Sequence, residues 1–293
     1  MTLPRYPIYI PSKGRAKSSL TAHVFIKHGV PFHIVVEEPD VESYAEVFGE
    51  DRLLVLPFKD QGSVVPARNW IKDHATEIGA ERHWQFDDNI RYFYKWHRGG
   101  ERIYCPSGPA IAAVEDFTDR YTNIAISGLE YGMFGLKKQK PFVLNTRVYS
   151  SSLVLNSIPH RWRGRYNEDA DICLQVLADG WCTVLICAFQ IGKMPTMRIK
   201  GGNTTELYDE TDGRLKMARA LERQWPGVVK TKRRFGRPQH AIFDSWKRFD
   251  TPLIRKPDLK IDPTPNNYGL KLTRVRESDD PELKYLFEPG RDG

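Results

Sequence analysis

The sequence predicts an α/β fold with a mostly parallel central sheet flanked by helices. Strand and helix patterns alternate four times in the first 90 residues, and this order is typical of parallel strands joined by helical crossovers. Polar residues follow several of the strands, at the carboxyl ends where such sheets bind ligands. With 293 residues, 40% of them hydrophobic, the chain is long enough to bury a core.

The elements of the first half are recognised by their apolar spacing and their stop signals. Short apolar runs predict four strands, at residues 6–12, 32–36, 52–58 and 82–88. Apolar residues at helical spacing predict the helices between them, at residues 18–29, 41–49 and 65–79. Gly29, Gly49 and Gly79 close these helices, in agreement with the preference for Gly at helix C-termini.

The second half is more mixed and ends in a basic segment. We predict a helix at 109–122, strands at 123–129 and 141–156, a helix at 167–180 capped by Asn167, and a strand at 181–189. After residue 228, Lys and Arg alternate with aromatic residues, and a Pro-rich polar tail follows. We therefore divide the chain into a catalytic-type domain, 1–228, and a basic, Pro-rich C-terminal extension, 229–293, that contacts the first domain or an acceptor.

Charge and cysteine usage limit the possible classes of protein. Lys and Arg number 44 against 37 Asp and Glu, which gives a formal charge of +7 and favours a polyanionic partner without requiring one. The four cysteines form no C-x-x-C pair, so we expect neither a zinc site nor a disulfide framework, and a reducing cytosol suits the chain. No signal peptide is recognisable, and the longest apolar run, 181–189, is too short to cross a bilayer.

An acidic cluster, Asp87-Asp88-Asn89, directly follows the strand at 82–88. Hard oxygen ligands of this kind suit Mg²⁺ or Mn²⁺, and such an ion usually keeps phosphates among its other ligands. The alternative is a turn at the end of a strand, since Asp and Asn favour turns.

Two further polar segments are candidates for ligand contacts. One follows the first predicted strand, and the other opens the third predicted helix. The segment 11–16, PSKGRA, is neither a G-x-G-x-x-G motif nor a Walker loop, but Ser12, Lys13 and Arg15 can contact a nucleotide. Arg68 and Asn69 open a helix and can present a guanidinium and an amide to a base or a diphosphate. Ordinary turns and a solvated first helical turn are the alternatives.

Glu168 and Asp169 form a second acidic centre, in the first turn of the helix at 167–180. We interpret Asp169 as a general base. The alternative is an acid that only complements the helix dipole. A helix N-terminus stabilises the ionised carboxylate and weakens it as a base, whereas a nearby diphosphate has the opposite effect.

Basic and aromatic residues suggest where an anionic acceptor binds. They precede Glu168 or lie in the extension, and they are His160, Arg161, Trp162, Arg163, Arg165, Lys232, Arg233 and Arg234. Phe243, Trp246 and Phe249 offer rings for stacking a base. A solvated basic loop is the alternative.

The segments YIPSKGRA, VVEEPD, PARN, FDDN and NEDADICLQVL, in this order and spacing, resemble the GT-A glycosyltransferase superfamily. Within it, they are most similar to the phage-encoded TET-associated glycosyltransferases, over roughly residues 5 to 225. The resemblance implies a GT-A fold and a metal-dependent hexosyltransferase. It also implies transfer from a UDP-sugar to 5-hydroxymethylcytosine in DNA, in the cytoplasm of a phage-infected bacterium.

The resemblance also implies roles for individual residues. Asp169, with Glu168 beside it, stands where inverting enzymes have their base. Asp88 and Asn89 stand at the Mn²⁺ or Mg²⁺ position, with Asn89 replacing a common final Asp. The segment 200–208 resembles a loop that closes over the substrates, but it lacks the His that often adds a metal ligand. The donor nucleotide is expected to contact Pro11, Ser12, Lys13, Arg15, Glu37, Arg68, Asn69 and Asp87.

Other functions remain open at this point. The acceptor can instead be a saccharide, a lipid carrier or a protein. The chain can also be a non-catalytic nucleic-acid-binding module or a Mg²⁺-dependent nucleotidyltransferase. We expect no membrane partner, and the sequence does not indicate an oligomeric state. The main interpretation requires that the carboxyl groups at 87 and 88 face the one at 169 across a single crevice.

Overall fold

A computed structural model of the protein describes residues 2–59, 62–97, 101–134, 140–194, 213–234, 236–242 and 246–261, and also residues 264, 266, 268 and 269. Within these ranges the chain forms a mixed α/β fold, with a large central sheet flanked by helices, as the sequence predicts. The four cysteines are buried and free, and the sequence likewise indicates no disulfide framework.

Ten strands form the central sheet of the described chain, and two more form a separate hairpin. The sheet strands are β1 (Ile8–Pro11), β2 (His33–Val36), β3 (Leu53–Val55), β4 (Arg82–Phe86), β5 (Ile90–His97), β6 (Glu101–Tyr104), β7 (Ile124–Tyr131), β8 (Phe142–Leu144), β9 (Ser151–Leu155) and β10 (Cys182–Lys193). The hairpin consists of β11 (Val229–Arg234) and β12 (Arg237–Ile242).

Helices cover the sheet or connect its strands. The α-helices of the described residues are α1 (Leu20–Lys27), α2 (Val41–Phe48), α3 (Val65–Glu77), α4 (Ser107–Thr118), α5 (Glu168–Ala178) and α6 (Gly213–Gln224). Single 3₁₀ turns lie at Ala16–Ser18, Glu38–Asp40, Glu50–Arg52, Gly132–Phe134 and Trp246–Arg248. None of these helices has the length and apolarity needed to cross a membrane.

The first half of the sheet is parallel. Its strand order is β3-β2-β1-β4, and each of these neighbours pairs in parallel. Tyr9 of β1 lies opposite His33 on one side and Gln85 on the other. The direction of strand addition therefore reverses between β1 and β4, which creates the crevice where open α/β sheets bind ligands.

The second half of the sheet adds antiparallel strands. The order continues as β9-β7-β10-β5-β6, with β8 pairing β10. β9 is antiparallel to β4 and β7, β10 is parallel to β7, β5 and β8 are antiparallel to β10, and β6 is antiparallel to β5. Strands β5, β8 and β9 thus oppose the other seven, and the sheet is mostly parallel.

The strand β4 lies at the centre of the core. All five of its residues are buried, because β1 and β9 flank it and helices cover both faces of the sheet. Trp84 and Phe86 stack with ring centroids 5.1 Å apart, and they pack in one hydrophobic cluster with Phe25 of α1. On the other face, Tyr9 packs with Ile71 of α3. Side chains of these neighbouring strands thus pack on both faces of the sheet, as expected for pleated strands.

The structure differs from the predicted elements at several points. The predicted strand at 141–156 is divided into β8 and β9, and the strand predicted to end at residue 189 continues to Lys193. The β5–β6 pair, the helix α6 and the β11–β12 hairpin were not predicted.

The C-terminal segment shares its hydrophobic contacts with the first part of the chain. Val229 of β11 packs in one cluster with Leu174 of α5 and Leu221 of α6, and Phe249 packs against the same cluster. The division at residue 228 stays a prediction. Within the described ranges, this segment packs on α5 and α6.

Candidate active site

The candidate site lies at the carboxyl ends of β1, β2 and β4, at the point where the strand order reverses. A cavity of about 250 Å³ opens there. It joins residues from these strand ends to residues from the first turns of α3 and α5. The residues lining it are Pro11, Ser12, Lys13, Arg15, Val35, Glu37, Leu56, Ser63, Val64, Ala67, Arg68, Asp87, Asp88, Asn89, Glu168 and Asp169.

One buried guanidinium joins the two acidic centres. Arg68 Nη2 lies 3.2 Å from Asp87 Oδ1, 3.4 Å from Asp169 Oδ1 and 3.7 Å from Glu168 Oε1. The side chain of Arg68 is only 3% exposed. The structure therefore brings the acids that follow β4 and those that open α5 into a single crevice.

Asp88 is held inside the protein by two donors. Arg15 Nη1 lies 2.8 Å from Asp88 Oδ1, and the hydroxyl of Ser12 donates to Asp88 Oδ2 at 2.7 Å. Ser12 also bonds to the hydroxyl of Tyr44 at 2.6 Å. Burial nevertheless outweighs these partners and raises the pKa of Asp88. Asp88 fixes the loop after β1 to the end of β4.

Lys193, the last residue of β10, contacts the other acid of the pair. Its ammonium group lies 2.7 Å from Asp87 Oδ2 and 2.6 Å from Ser150 Oγ. Burial acts to raise the pKa of Asp87, but the charges of Lys193 and Arg68 outweigh it and hold that pKa well below its ordinary value. Asp87 is therefore an ionised carboxylate between two cations.

Ser150 organises the crevice through its backbone as well as its hydroxyl. Its carbonyl accepts a hydrogen bond from the Asp87 N–H at 2.9 Å, and its own N–H donates to the carboxylate of Asp169. Ser150 has a φ of 65°, in the left-handed region that non-glycine residues rarely adopt. Such a conformation persists where the surroundings determine it, and here it directs the Ser150 N–H at the carboxylate of Asp169 and the hydroxyl at that of Asp87.

The carboxylates at the start of α5 are more basic than ordinary acids. Burial, followed by the charge of the adjacent Asp169, raises the pKa of Glu168 to about 7. Burial likewise raises the pKa of Asp169, although Arg68 opposes this. The lowering expected from the helix N-terminus is thus outweighed by desolvation. An acid whose pKa lies closer to neutral pH is a better general base.

Asn167 occupies the N-cap position of α5 but does not cap it. Its backbone is left-handed, with φ 57°, and no side-chain cap hydrogen bond forms. Its Nδ2 donates instead to the carbonyl of Met217 in α6 at 2.8 Å. The predicted capping role of the Asn167 side chain is therefore wrong. This side chain connects the first turn of α5 to α6 instead.

The carboxylates predicted to bind a divalent ion already have partners. Both oxygens of Asp87 and both oxygens of Asp88 contact Arg68, Lys193, Arg15 or Ser12. Mg²⁺ requires a near-octahedral shell of oxygens at about 2.1 Å. The positive charges of Arg15 and Lys193 at these carboxylates oppose the binding of a divalent ion there.

Asn89 contributes one oxygen at most to such a shell. Its Nδ2 donates to the carbonyl of Met194 at 3.1 Å, while its buried Oδ1 has no hydrogen-bond partner. The described residues contain no group of three His, Cys, Asp or Glu able to hold a metal ion. As arranged, the donor set does not fit the predicted Mn²⁺ or Mg²⁺.

The remaining donor-site residues divide into two groups. Lys13 and Glu37 line the cavity as a pair, with 3.5 Å between Lys13 Nζ and Glu37 Oε1, and Pro11 lies beside them. Asn69 lies outside the lining. Its side chain donates to the carbonyl of Trp162 at 2.8 Å and accepts from the Trp162 N–H at 3.0 Å. We do not retain Asn69 as a nucleotide contact, because both ends of its amide hold this loop.

The loop before α5 is also largely structural. Trp162 is 3% exposed, and His160 is buried with its Nε2 2.7 Å from Asp179 Oδ2. Arg161 pairs with Asp73 at 2.6 Å. We remove Trp162 and His160 from the acceptor surface because both are buried, whereas the predicted acceptor contact of Arg161, whose side chain is 45% exposed, stays a prediction.

The other two arginines of this loop have partners as well. Arg163 lies 3.0 Å from the fully buried Asp171 and 5.5 Å from the centroid of the Trp225 ring. Arg165 lies over the ring of Tyr166 at 5.7 Å. Arg163 therefore has a structural role, whereas the predicted acceptor contact of Arg165 stays a prediction. The segment 200–208, which was predicted to close over the substrates, lies outside the described residues.

A second and larger cavity, of about 890 Å³, adjoins the first turn of α5. The predicted Lys232 and Arg234 line it, whereas Arg233 does not. The Nε of Arg233 donates instead to the Gly236 carbonyl at 3.1 Å, at the turn between β11 and β12. The lining residues are Phe134, Arg147, Tyr149, Asn167, Arg214, Met217, Ala218, Lys232, Arg234, Pro238, Gln239, His240, Ala241, Ile242 and Trp246.

Sequence reasoning missed several of these side chains. Lys193 lies at the end of a strand that runs in the same direction as β4, so a correct strand length would have placed it at this edge. Arg147, Tyr149 and Ser150 lie between two strands that were predicted as one. Of the aromatic residues predicted to stack a base, Trp246 lines the larger cavity, Phe249 packs in the core, and Phe243 lies outside the described residues.

Comparison with known proteins gives a family match. Residues 6–202 match the family described as TET-Associated Glycosyltransferase, about two thirds of the chain. None of the curated proteins compared with the chain gives a significant match.

Similar solved structures are distant. The inositol-1-phosphate CTP transferase from T. maritima is 9% identical, with a TM-score of 0.39 over 72% of this chain and 98% of that one. The mannose-1-phosphate geranyltransferase from Thermus thermophilus is 14% identical, with a TM-score of 0.30 over 76% of this chain and 64% of that one. At these scores neither similarity bears on the function of this chain.

Proposed function

The chain belongs to the TET-associated glycosyltransferases, and on this premise we propose that it transfers a hexose from a UDP-sugar to the hydroxymethyl group of 5-hydroxymethylcytosine in DNA. The family membership supports a glycosyltransferase. The choice of UDP-sugar, of hexose and of hydroxymethylated DNA belongs to the proposal.

The observation that carries the proposal is the position of Arg68. It lies within 4 Å of a carboxylate at the end of β4 and of two carboxylates at the start of α5. Transfer of a sugar needs a group that binds the donor and a group that accepts a proton from the acceptor. The crevice provides side chains for both tasks on facing walls.

Donor binding is assigned to the side of the crevice formed by β1 and β4. Lys13, Arg15 and Arg68 line the cavity there and present cations to a diphosphate. Its volume of about 250 Å³ lies below the roughly 300–1,000 Å³ of most ligand pockets. The cavity therefore takes only part of a nucleotide sugar, and the rest of the donor lies over its open face.

Proton transfer is assigned to Asp169. As the acceptor hydroxyl attacks the anomeric carbon, its proton passes to the Asp169 carboxylate and a new glycosidic bond forms. The bond between the anomeric carbon and the diphosphate oxygen breaks at the same time, and the nucleoside diphosphate leaves with that electron pair. The raised pKa of Asp169 favours this role, and a single displacement of this kind inverts the anomeric centre.

Metal dependence stays a prediction of the sequence. The carboxylates assigned to the ion contact Lys193, Arg15 and Ser12 instead. No step of the proposed reaction is therefore assigned to a metal.

Sugar transfer can be tested with matched oligonucleotides. Purified protein is incubated with UDP-hexoses and with two strands that differ only in one cytosine or 5-hydroxymethylcytosine. We expect a mass increase of one hexose on the hydroxymethylated strand alone. Asp169→Asn should lower the rate by about 100-fold or more, whereas Glu46→Gln, an exposed acid of α2, should leave it unchanged.

Three results would count against the proposal. Absence of any mass increase across the common UDP-sugars would reject the reaction with DNA. Transfer to a saccharide, lipid carrier or protein with the same dependence on Asp169 would keep the transferase and change its acceptor. Release of pyrophosphate in place of nucleoside diphosphate would indicate a nucleotidyltransferase.

A further inference from the structure

The larger cavity has an unusual charge composition. Four cationic side chains line it: Arg147, Arg214, Lys232 and Arg234. No carboxylate stands among the described residues of its lining. Like charges gathered in one concave surface repel each other and create a positive potential that attracts an anion. The donor cavity, by contrast, contains five acids.

Aromatic rings accompany these cations. The guanidinium of Arg147 lies 5.4 Å from the centroid of Tyr149 and 5.7 Å from that of Phe134. Trp246 lines the same cavity. Phosphate-binding cations next to rings that can stack a base are the combination found in proteins that bind single nucleic-acid strands.

The cavity also contains neutral groups able to hydrogen-bond a base edge. His240 and Gln239 lie on β12 and line it. Burial, followed by the charge of Arg147, lowers the pKa of His240 to about 4, so its imidazole is neutral near pH 7. A neutral imidazole has one donor and one acceptor nitrogen, which suits a base better than a phosphate.

The position of the cavity connects it with the acids of the crevice. Asn167 lines the larger cavity, and Glu168 and Asp169, the next two residues, line the donor cavity. Tyr149 lines the larger cavity as well, and Ser150 after it contacts Asp169. The two cavities thus adjoin at the first turn of α5, where the assigned base lines the donor cavity.

We propose that the larger cavity receives one unstacked nucleotide of a DNA strand, with the flanking phosphates on Arg147, Arg214, Lys232 and Arg234 and the base beside Phe134 and Tyr149. This inference rests on the proposed function, because it identifies the cavity as the acceptor side of the same reaction. Its volume of about 890 Å³ lies within the roughly 300–1,000 Å³ of ligand pockets and accommodates a nucleotide. A base inside a duplex must leave the stack to enter it.

The test measures binding of a fluorescent single-stranded DNA by anisotropy, without donor, over a range of salt concentrations. Arg234→Gln and Arg147→Gln should each weaken binding and reduce the slope of log K against log salt by about 0.7, the value for one lost phosphate contact on a single strand. The control is Arg233→Gln, which removes one charge from the same strand at a residue that does not line the cavity. It should leave the slope unchanged.

Stacking needs a separate variant, because any polyanion responds to charge. Phe134→Leu changes a half-exposed ring and should weaken DNA binding about fivefold or more. The same change should not affect binding of inorganic polyphosphate, which has no bases. Tighter binding of a single strand than of the matched duplex is also expected.

Three outcomes would overturn the inference. The first is an equal effect of Arg233→Gln and Arg234→Gln. The second is competition by polyphosphate as strong as by DNA, together with full binding by Phe134→Leu. The third is wild-type DNA binding weaker than about 100 µM at physiological salt, the weak limit of non-specific binding. Binding of UDP in the smaller cavity, measured by calorimetry on the same samples, shows in each case whether the donor assignment survives.

Discussion

The ammonium group of Lys193 lies 2.7 Å from Oδ2 of Asp87, beside the residues that the sequence assigns to a metal ion. This lysine also contacts Ser150, and the charge of Asp87 is shared between Lys193 and Arg68. The end of β10 thus supplies a fixed positive charge to the end of β4. The electrostatics of the crevice depend on this contact.

Removing this cation should destabilise the protein. Lys193→Met leaves the partly buried Asp87 with Arg68 as its remaining cation, and we expect a loss of about 1–3 kcal/mol in the free energy of unfolding. Urea denaturation measures the loss. The double variant Lys193→Met with Asp87→Asn should recover part of it, because the uncompensated charge is gone. Additive losses in the double variant would contradict the pairing.

Arg68 should not tolerate replacement by lysine. A guanidinium reaches three carboxylates through a planar fork, whereas an ammonium group is a point charge. We expect Arg68→Lys to cost about 1–3 kcal/mol of unfolding free energy and to weaken UDP binding. Arg233→Lys, at an exposed position, should stay within about 0.5 kcal/mol of wild type. Equal stabilities of the two variants would show that Arg68 does not join the acidic centres.

The raised pKa of Glu168 predicts a dependence of stability on pH. Between about 4.5 and about 7 the folded protein retains a proton that the unfolded chain has already released. The free energy of unfolding should therefore fall as pH rises through this window, by up to about 3 kcal/mol. Glu168→Gln removes the titrating group and should flatten the profile. An unchanged slope in this variant would assign the effect to other groups.

Chelation of divalent ions should have little effect on donor binding. The carboxylate oxygens at 87 and 88 contact side chains of the protein, so we expect EDTA to change the affinity for UDP by less than about twofold, or about 0.4 kcal/mol. Calorimetry with and without Mn²⁺ measures this. A gain of about tenfold on adding Mn²⁺, or about 1.4 kcal/mol, would show that an ion binds at these residues, as the sequence predicts, in spite of Lys193 and Arg15.

The meeting of Asp87 with Asp169 could be expected from the sequence. Parallel strands end at the same edge of a sheet, and the polar residues after each predicted strand therefore converge. The helix positions of Arg68 and Glu168 followed from clear apolar spacing and from Gly79 and Gly180 as stop signals. Local patterns of this kind are sufficient for the parallel half of the fold.

Lys193 and the larger cavity could not be expected from the same patterns. The apolar run of β10 ends before its last residues, which pair with β5 through backbone hydrogen bonds and leave little trace in side-chain polarity. The β5–β6 pair was missed although Gly99-Gly100 is a typical hairpin signal.

Burial of polar residues was a second source of error. Trp162 and His160 read as an accessible basic loop, because sequence spacing does not show that Asn69 and Asp179 hold them inward. Contacts of this type join residues far apart in the chain. They depend on how α3 and α5 lie against each other, which no local pattern encodes.

Among the described residues, the donor cavity and the larger cavity have separate linings and adjoin at the turn that begins α5. Because the linings are separate, we expect each reactant to bind without the other, so that neither has to arrive first. Steady-state kinetics should show a random order of substrate binding. A compound that tethers a nucleoside diphosphate to a short oligonucleotide should occupy both cavities and act as a bisubstrate inhibitor. The length of the tether that inhibits best would measure the path along which the sugar moves.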